Sequence, residues 1–217
     1  MKLNTLVIAF SVLGLMSCDS EQKPKETEEK KELKFAEETC TYTYDPTNVK
    51  AAWTAFKFTE KAGVGGQFDS VTVKTSGTVD SPEKILGGLS FEIPINSVNT
   101  NNPDRDKKIR ESFFGTLANT DVISGTVMSM KGNNDSGTAM VSLSMNDSTY
   151  QQELNYNIEG SQVSLTGTID VGNWNGNDAI SALNKVCEEL HKGENGESVL
   201  WPTVDIAVSA VLSRDCN

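Results

Sequence analysis

Hydrophobic and polar residues alternate along much of the chain. Apolar residues, with an occasional glycine, occupy every second position in five stretches: residues 89–95, 139–145, 154–158, 163–171 and 204–212. Alternation of this kind predicts β-strands that bury one face and expose the other. Three earlier stretches alternate less regularly and are also predicted to be strands: residues 53–59, 68–79 and 122–130.

The strands and the turns between them together predict the fold class. Turns rich in Gly, Asn and Asp, such as residues 132–135, separate most of the strands, as antiparallel hairpins require. Because each strand is polar on one face, we predict an all-β fold, an eight-stranded antiparallel barrel that leaves no exposed sheet edge. A two-sheet sandwich is the alternative that the same pattern allows.

Two short helices are predicted to interrupt the strands. The first begins at Asn102, which can cap a helix ahead of Pro103, and ends at Gly115. The second covers residues 178–192, with Gly193 as its C-terminal cap. Its apolar stripe consists of Ile180, Leu183, Cys187 and Leu190. Either helix could cap the mouth of a barrel.

The N-terminus predicts export and a lipid anchor. Lys2 precedes an apolar run that is too short to span a bilayer and is typical of a secretory signal peptide. The run ends in LMSC at residues 15–18, which resembles the lipobox of bacterial lipoproteins. We therefore predict a signal peptide over residues 1–17 and a lipidated Cys18, with an ordinary signal peptide as the alternative.

Composition divides the rest of the chain into a tether and one domain. Residues 18–39 begin with the lipidated Cys, and residues 19–39 hold eight acidic residues and five lysines with few apolar residues. Such a segment cannot bury enough apolar surface to order itself, so we interpret it as a charged flexible tether. Residues 40–217 show no further break and are predicted to form the barrel domain.

Charge and residue counts exclude several classes of function. The formal net charge of −11 argues against a nucleic-acid-binding protein, which needs clustered basic residues. The single histidine, His191, excludes a multi-histidine metal site and catalysis by a histidine pair. We therefore expect no catalytic residue, no metal and no cofactor. The expected location is the bacterial cell envelope, lipid-anchored at the periplasmic face or at the cell surface of the outer membrane.

Three cysteines remain after Cys18. Export places Cys40, Cys187 and Cys216 in an oxidising compartment, where two of them can form a disulfide. The first and last strands of a closed antiparallel barrel are neighbours, so we favour a Cys40–Cys216 bridge at that seam, worth about 2–4 kcal/mol. A bridge from Cys187 to either of the others would fix the second helix instead and is the alternative.

Five segments, in order along the chain, resemble the YceI-like family, whose members are extracytoplasmic lipid-binding proteins with a lipocalin-like barrel. The segments are WTAFKF at 53–58, VGGQF at 64–68, IPINSVNT at 93–100, RDKKIRESFF at 105–114 and WPTVDI at 201–206. The resemblance covers residues 42–213. It implies that the barrel binds a long isoprenoid chain, such as a polyisoprenoid or an isoprenoid quinone, without chemistry of its own.

An isoprenoid needs a dry, elongated slot, which inward-facing apolar side chains would supply. The candidate ligand-binding residues are Phe91, Ile93, Val141, Leu143, Leu154, Tyr156, Leu165, Ile169, Ile206 and Val208. The same pattern would also line a filled core, so a structural or interaction lipoprotein without a ligand is the alternative function. An enzyme acting on an envelope lipid would need a polar cluster facing the cavity, and the sequence shows none.

Several residues with reactive or polar side chains are interpreted as structural. Arg105, Asp106 and Arg110 are expected to make local pairs on a solvated helix, rather than to bind a ligand head group. Trp53 is expected to pack in the core, and Trp174, which lies in a Gly- and Asn-rich turn, to be exposed at the surface.

Overall fold

The computed structural model describes residues 38–217, so the predicted signal peptide, Cys18 and nearly all of the tether lie outside the described residues. Strands account for most of the described regular structure. Their bounds are β1 Cys40–Thr43, β2 Val49–Lys57, β3 Ala62–Phe68, β4 Thr72–Lys74, β5 Ser90–Pro94, β6 Val98–Asn99, β7 Val122–Gly132, β8 Ser136–Met145, β9 Ser148–Glu159, β10 Gln162–Asp170, β11 Leu200–Val211 and β12 Ser213–Cys216.

The helices are short. The α-helices are α1 Pro103–Lys108, α2 Asn177–Val186 and α3 Glu188–His191. A π-helical turn, Ile109–Phe113, continues α1, and the 3-10 turns are Pro46–Asn48, Pro82–Ile85, Ile95–Ser97, Phe114–Thr116 and Val171–Trp174. In residues 38–217, none of these helices combines the length and the apolar character needed to cross a membrane.

The sheet is antiparallel and curled into a barrel-like wall, but its strand count differs from the prediction. In the described part of the chain, ten strands form one sheet in the order β4-β5-β7-β8-β9-β10-β11-β2-β3-β6, rather than eight. The strands β1 and β12 pair separately as a two-stranded ribbon. The chain is therefore predominantly β and barrel-like, as predicted, with ten strands in the main sheet.

Two interruptions account for the higher count. The predicted strand over residues 68–79 is wrong: the chain is extended over Ala62–Phe68, leaves the sheet, and returns for only three residues as β4. The predicted strand over residues 89–95 is present as β5, but after the 3-10 turn Ile95–Ser97 the chain forms a further two-residue strand, β6, that was not predicted. Because β4 pairs with β5 and β3 pairs with β6, these two bent segments join the opposite ends of the sheet.

Alternation sets the inner face of the wall where the sequence is most regular. In β9, Leu154, Tyr156 and Ile158 are buried, whereas Asn155 and Asn157 between them are exposed. The hairpin from β8 to β9 turns through Asn146 and Asp147, both with positive φ, as a tight two-residue turn requires. One face of each such strand thus points inward and supplies the core.

The second predicted helix is interrupted. Helix α2 ends before Cys187, whose φ of −114° and ψ of 15° depart from helical values, and the chain resumes as α3. The chain leaves the helix at Lys192, so Gly193 is not its cap. The start of α1 is as predicted, because the side chain of Asn102 accepts a hydrogen bond from the backbone N–H of Arg105 at 3.1 Å.

The described structure contains the Cys40–Cys216 disulfide that the sequence analysis favours. These two residues are directly opposite each other in the β1–β12 ribbon. The ribbon continues from β2 and β11, which are neighbours in the main sheet, so the bridge closes the seam between the first and last strands of the wall. Cys187 is buried and free, so it does not fix the helix as the alternative pairing would require.

Candidate ligand-binding cavity

The curled sheet encloses a cavity of about 650 Å³. This volume lies within the range of about 300–1,000 Å³ that is usual for small-molecule sites. A barrel with a filled core would leave only small voids, because protein interiors pack as densely as organic crystals. The cavity therefore argues against the alternative in which the same inward-facing residues form a solid core.

Nine of the ten candidate ligand-binding residues line this cavity. They lie on five strands of the wall and are Phe91, Ile93, Val141, Leu143, Leu154, Leu165, Ile169, Ile206 and Val208. Neighbouring strands place some of them side by side, as in the directly opposed pair Leu165 and Val208. The strand alternation thus brings these residues to one surface, and their contact with a ligand remains a prediction.

Tyr156 is the exception, and it does not line the cavity. Its hydroxyl group donates a hydrogen bond to the carbonyl oxygen of Asn133 at 2.5 Å, in the turn that joins β7 to β8. The ring packs over Gly137, where an added Cβ would lie only 2.8 Å from it. The polar end of a buried tyrosine needs a partner, and the turn provides one away from the cavity.

Strands β2 and β3 contribute wall residues that the sequence analysis did not assign to the ligand. Ala51, Trp53 and Ala55 line the cavity from β2, and Val64 and Phe68 line it from β3. The glycines of β3 obscure the alternation in the sequence. The signal that places them on one face is the two-residue period of Val64, Gly66 and Phe68.

One of those glycines makes room for a tryptophan. Trp53 and Gly66 are directly opposite each other in neighbouring strands. A Cβ added at Gly66 would lie 2.3–2.8 Å from three atoms of the Trp53 ring. The absence of a side chain at Gly66 therefore lets the indole lie against the wall. Trp53 thus packs on Gly66 and also lines the cavity.

Helices cover part of the cavity. The apolar stripe predicted for the second helix, Ile180, Leu183, Cys187 and Leu190, lines it in full. Phe113 and Phe114, which follow α1, also line it, and their rings meet edge to face at 5.0 Å between centroids. Phe114 is buried against Phe68 of the wall, at 6.3 Å. The helical segments are thus held to the sheet by aromatic contacts.

The charged residues of the wall gather where the helices meet the end of β2. We call Lys57, Arg105, Lys108, Leu190 and His191 the rim. All five line the cavity, and Lys57, Lys108 and His191 are the last residues of β2, α1 and α3 respectively. The Lys57 ammonium donates a hydrogen bond to the Leu190 carbonyl oxygen at 3.0 Å, which ties the strand to the helical segment.

The Arg105 and Asp106 side chains are largely engaged with Thr100. The guanidinium of Arg105 donates from Nε to the Thr100 hydroxyl at 2.9 Å and from Nη2 to its carbonyl oxygen at 3.0 Å. The buried Asp106 carboxylate accepts from the backbone N–H and the hydroxyl of Thr100, at 2.8 and 2.5 Å. The expected local charge pairs are not formed by Arg105 and Asp106, and Asp106 is buried rather than solvated, because both side chains bind Thr100, which lies before the helix.

His191 is buried in the rim. Its Nδ1 lies 2.8 Å from the Oδ1 of Asn184, one helical segment earlier. Burial lowers the pKa of His191, and the positive charges of Lys57 and Lys108 lower that pKa further. In residues 38–217, the one grouping of possible metal ligands is Glu38 with Cys40 and Cys216, and those two cysteines are joined in the disulfide.

A family model and several solved structures resemble this chain. The YceI-like domain model matches residues 42–212. A polyisoprenoid-binding domain from Saccharophagus degradans, implicated in plant cell wall breakdown, aligns with a TM-score of 0.58 at 17% identity, over 80% of this chain and 98% of that one. BcnA from Burkholderia cenocepacia gives 0.56 at 9% identity, over 78% and 99%.

The Campylobacter jejuni YCEI protein aligns with a TM-score of 0.50 at 17% identity, covering 75% of this chain and 90% of that one. At identities this low, the structural alignments show a shared fold and nothing more. No curated protein sequence matches the chain significantly.

Proposed function

The chain belongs to the YceI-like domain family, and from this membership we propose that it binds a long-chain isoprenoid or a similar lipid in its cavity, without catalysing a reaction. The observation that carries the proposal is the cavity of about 650 Å³ inside a wall of hydrocarbon side chains. The structural relative from Saccharophagus degradans is itself a polyisoprenoid-binding domain.

The chemistry of the wall suits a branched hydrocarbon chain. Water disfavours apolar surface by roughly 25 cal/mol per Å², so moving an isoprenoid from water into such a cavity is strongly favourable. Leu, Ile, Val and Phe side chains from the strands meet the hydrocarbon, and the charged residues of the wall are confined to the rim and to Asp104 beside it. This separation supports a carrier that holds a hydrocarbon tail inside and a polar end outside.

Anchoring is the second part of the proposal. The lipobox-like sequence at residues 15–18 lies outside the described residues, and it supports a thioether-linked lipid on Cys18. Two or more acyl chains hold a protein stably on a membrane. In this proposal residues 18–39 are the tether. The barrel domain, residues 40–217, lies at the surface of a bacterial envelope membrane.

Organic extraction of the purified full chain tests lipid binding. The protein is isolated from its own membranes, and the extracted lipids are quantified by mass spectrometry. We expect about one isoprenoid or similar long-chain lipid per chain. An extract that contains only the bulk membrane lipids, in their ordinary proportions, contradicts the proposal.

Paired tryptophan substitutions locate the lipid. Leu165→Trp with Val208→Trp places two large rings side by side in the cavity, because these residues are directly opposed on the inner face. We expect this variant to lose the extracted lipid. The control is Thr166→Trp with Ala207→Trp, an equally opposed pair whose members are both exposed on the outer face. Equal lipid content in the two variants would place the ligand elsewhere.

Metabolic labelling tests the anchor. Cells that express the full chain are given radioactive palmitate, and membrane and soluble fractions are compared with those of Cys18→Ala. We expect the label and the membrane association to depend on Cys18. A labelled, membrane-bound Cys18→Ala protein would contradict the anchor while leaving the lipid-binding proposal intact.

A further inference from the structure

The cavity wall is locally basic although the chain is acidic. Lys57, Arg105 and Lys108 line the cavity against a single carboxylate, that of Asp104. The chain as a whole has a formal net charge of −11. An excess of cations on the wall of an apolar cavity creates a local positive potential, which favours an anionic group at that place.

Two of these cations are available to a ligand. Neither Lys57 nor Lys108 takes part in a salt bridge with any of the residues 38–217. The Lys57 ammonium, held at the rim by the Leu190 carbonyl oxygen, also lies 4.4 Å from the centre of the Phe58 ring. An ammonium group has three N–H donors, so Lys57 keeps further donors for another partner.

The two lysines converge on one place. Lys57 is hydrogen-bonded to Leu190, the neighbour of His191, and Lys108 lines the same cavity at the end of α1. The positive charges of both lysines also lower the pKa of His191. Lys57 comes from the strand wall and Lys108 from α1, so the site is formed by tertiary structure rather than by a run of basic residues. Arg105 contributes charge, but its Nε and Nη2 are already bound to Thr100.

Hydrocarbon residues border this basic site directly. Ile109 follows Lys108 in the chain, Leu190 accepts the hydrogen bond of Lys57, and Ile109, Leu183 and Leu190 all line the cavity. Leu190 is 58% exposed, which is unusual for a large apolar residue and marks the point where the cavity meets solvent. A ligand that lies with its tail among the inner apolar residues would therefore place its other end beside Lys57 and Lys108.

We propose that the rim binds the anionic head group of an amphiphile whose hydrocarbon tail occupies the cavity. The inference rests on the proposed function and adds the class of ligand: a long-chain lipid with an acidic head rather than a neutral one. Lys57 and Lys108 bind the head group through charge-assisted hydrogen bonds, which are stronger than those between neutral groups. A quinone head would accept hydrogen bonds through its carbonyl oxygens but, being neutral, would gain no attraction between opposite charges.

Two kinds of lipid share this chemistry. A fatty acid offers a carboxylate, and the phosphate ester of an isoprenoid alcohol offers phosphate oxygens. Lysine binds either as a point charge, without the paired geometry that arginine imposes. The rim therefore specifies an anionic oxygen head, and the tail and the size of the head decide between the two sources.

Competition binding with matched ligands tests the inference. The full chain, freed of bound lipid, is loaded with the neutral fluorescent probe N-phenyl-1-naphthylamine. The probe is then displaced by hexadecanoate, hexadecanol, geranylgeranyl phosphate or geranylgeraniol. We expect at least one acid to bind about tenfold or more tightly than its matched alcohol, as expected for hydrogen bonds to a charged group. Added salt should weaken this preference.

The double variant Lys57→Gln with Lys108→Gln should lose the preference for the acid and keep its affinity for the alcohol. The control is Lys50→Gln with Lys131→Gln, which removes the same charge from exposed lysines that do not line the cavity. Lys50 lies on the same strand as Lys57, so the comparison separates the rim from the general charge of the protein.

Each outcome decides the inference. A preference for one acid that vanishes only in the rim variant supports it and identifies the source of the head group. Equal binding of acids and alcohols, or a preference that survives in the rim variant, overturns it while the lipid-binding proposal stands. Binding of none of the four ligands overturns the head-group site together with the proposed function.

Discussion

The indole nitrogen of Trp174 donates a hydrogen bond to the carbonyl oxygen of Leu143, at 2.8 Å, inside the protein. Trp174 is completely buried, which corrects the expectation that it is exposed in a Gly- and Asn-rich turn. Its ring also meets Tyr150 edge to face at 5.4 Å. The turn after β10 therefore inserts a tryptophan into the core, beside the cavity residue Leu143.

We expect Trp174→Phe to destabilise the protein. The substitution keeps an aromatic ring but leaves the buried Leu143 carbonyl oxygen without its donor, which costs about 1–3 kcal/mol. Urea unfolding measures the change. Trp201→Phe is the matched control, because the Trp201 indole donates to the Phe58 carbonyl oxygen in a partly buried setting, and its loss should cost less. Equal losses of stability in the two variants would show that burial of the hydrogen bond does not determine its contribution.

The contact between Gly66 and Trp53 predicts a position-specific effect of adding one methyl group. Gly66→Ala places a Cβ within 2.8 Å of the indole and should destabilise the protein by about 1–3 kcal/mol through overpacking. Gly65→Ala meets only a backbone oxygen at 3.9 Å and should be nearly neutral in thermal unfolding. Adding Trp53→Leu should relieve the cost of Gly66→Ala. A cost that is unchanged in the double variant would exclude the ring as its cause.

The Cys40–Cys216 bridge is expected to contribute measurably to stability. It links residues 176 positions apart, and removal of such a bridge costs about 2–4 kcal/mol. Cys40→Ser with Cys216→Ser should unfold at a lower urea concentration and should be insensitive to reducing agent. Cys187→Ala should respond to reducing agent as the unaltered protein does. If the stability of Cys187→Ala did not change with reducing agent, the Cys40–Cys216 pairing would be contradicted.

His191 predicts a pH dependence of stability. Burial, with Lys57 and Lys108, lowers the pKa of His191 below its ordinary value of about 6.5 in the folded protein. Below about pH 6.5 the unfolded chain therefore binds more protons than the folded protein does, and this difference favours unfolding. The free energy of unfolding should be highest above pH 6.5 and should fall as the pH drops through the folded pKa.

His191→Gln should flatten this part of the stability profile. The chain contains no other histidine, so the comparison isolates one titrating group. Unfolding is followed by urea titration at pH values between about 5 and 8, the range in which histidine changes charge. An equally steep fall of stability in both proteins would assign the pH dependence to the carboxylates.

Regular alternation made the inner face of the wall predictable. Leu154 and Ile169 follow the two-residue period of a half-buried strand, and the period alone places them inside. The bend at residues 69–71 was not predictable in this way, because it keeps the apolar pattern while it breaks the strand. The strand after the turn Ile95–Ser97 has only two residues, which is too short to show a period. That is why eight strands were predicted and ten are present.

Other features depend on contacts between distant segments. Tyr156 obeys the alternation, but the carbonyl oxygen of Asn133 draws its hydroxyl group out of the cavity wall. Lys57 and Lys108 lie 51 positions apart in the sequence, so only the folded chain shows that they share the rim with His191. Whether inward residues enclose space or fill it is also decided by their three-dimensional packing.

The covalent link across the β1–β12 ribbon has a mechanical consequence. A pull on the chain ahead of Cys40 would otherwise peel β1 from β12 one hydrogen bond at a time. Because Cys40 is joined to Cys216, that load passes at once to both strands of the ribbon and then along β2 and β11 together. Both strands at the seam therefore share the force, and tension on the N-terminal side does not separate the strands around the cavity one by one.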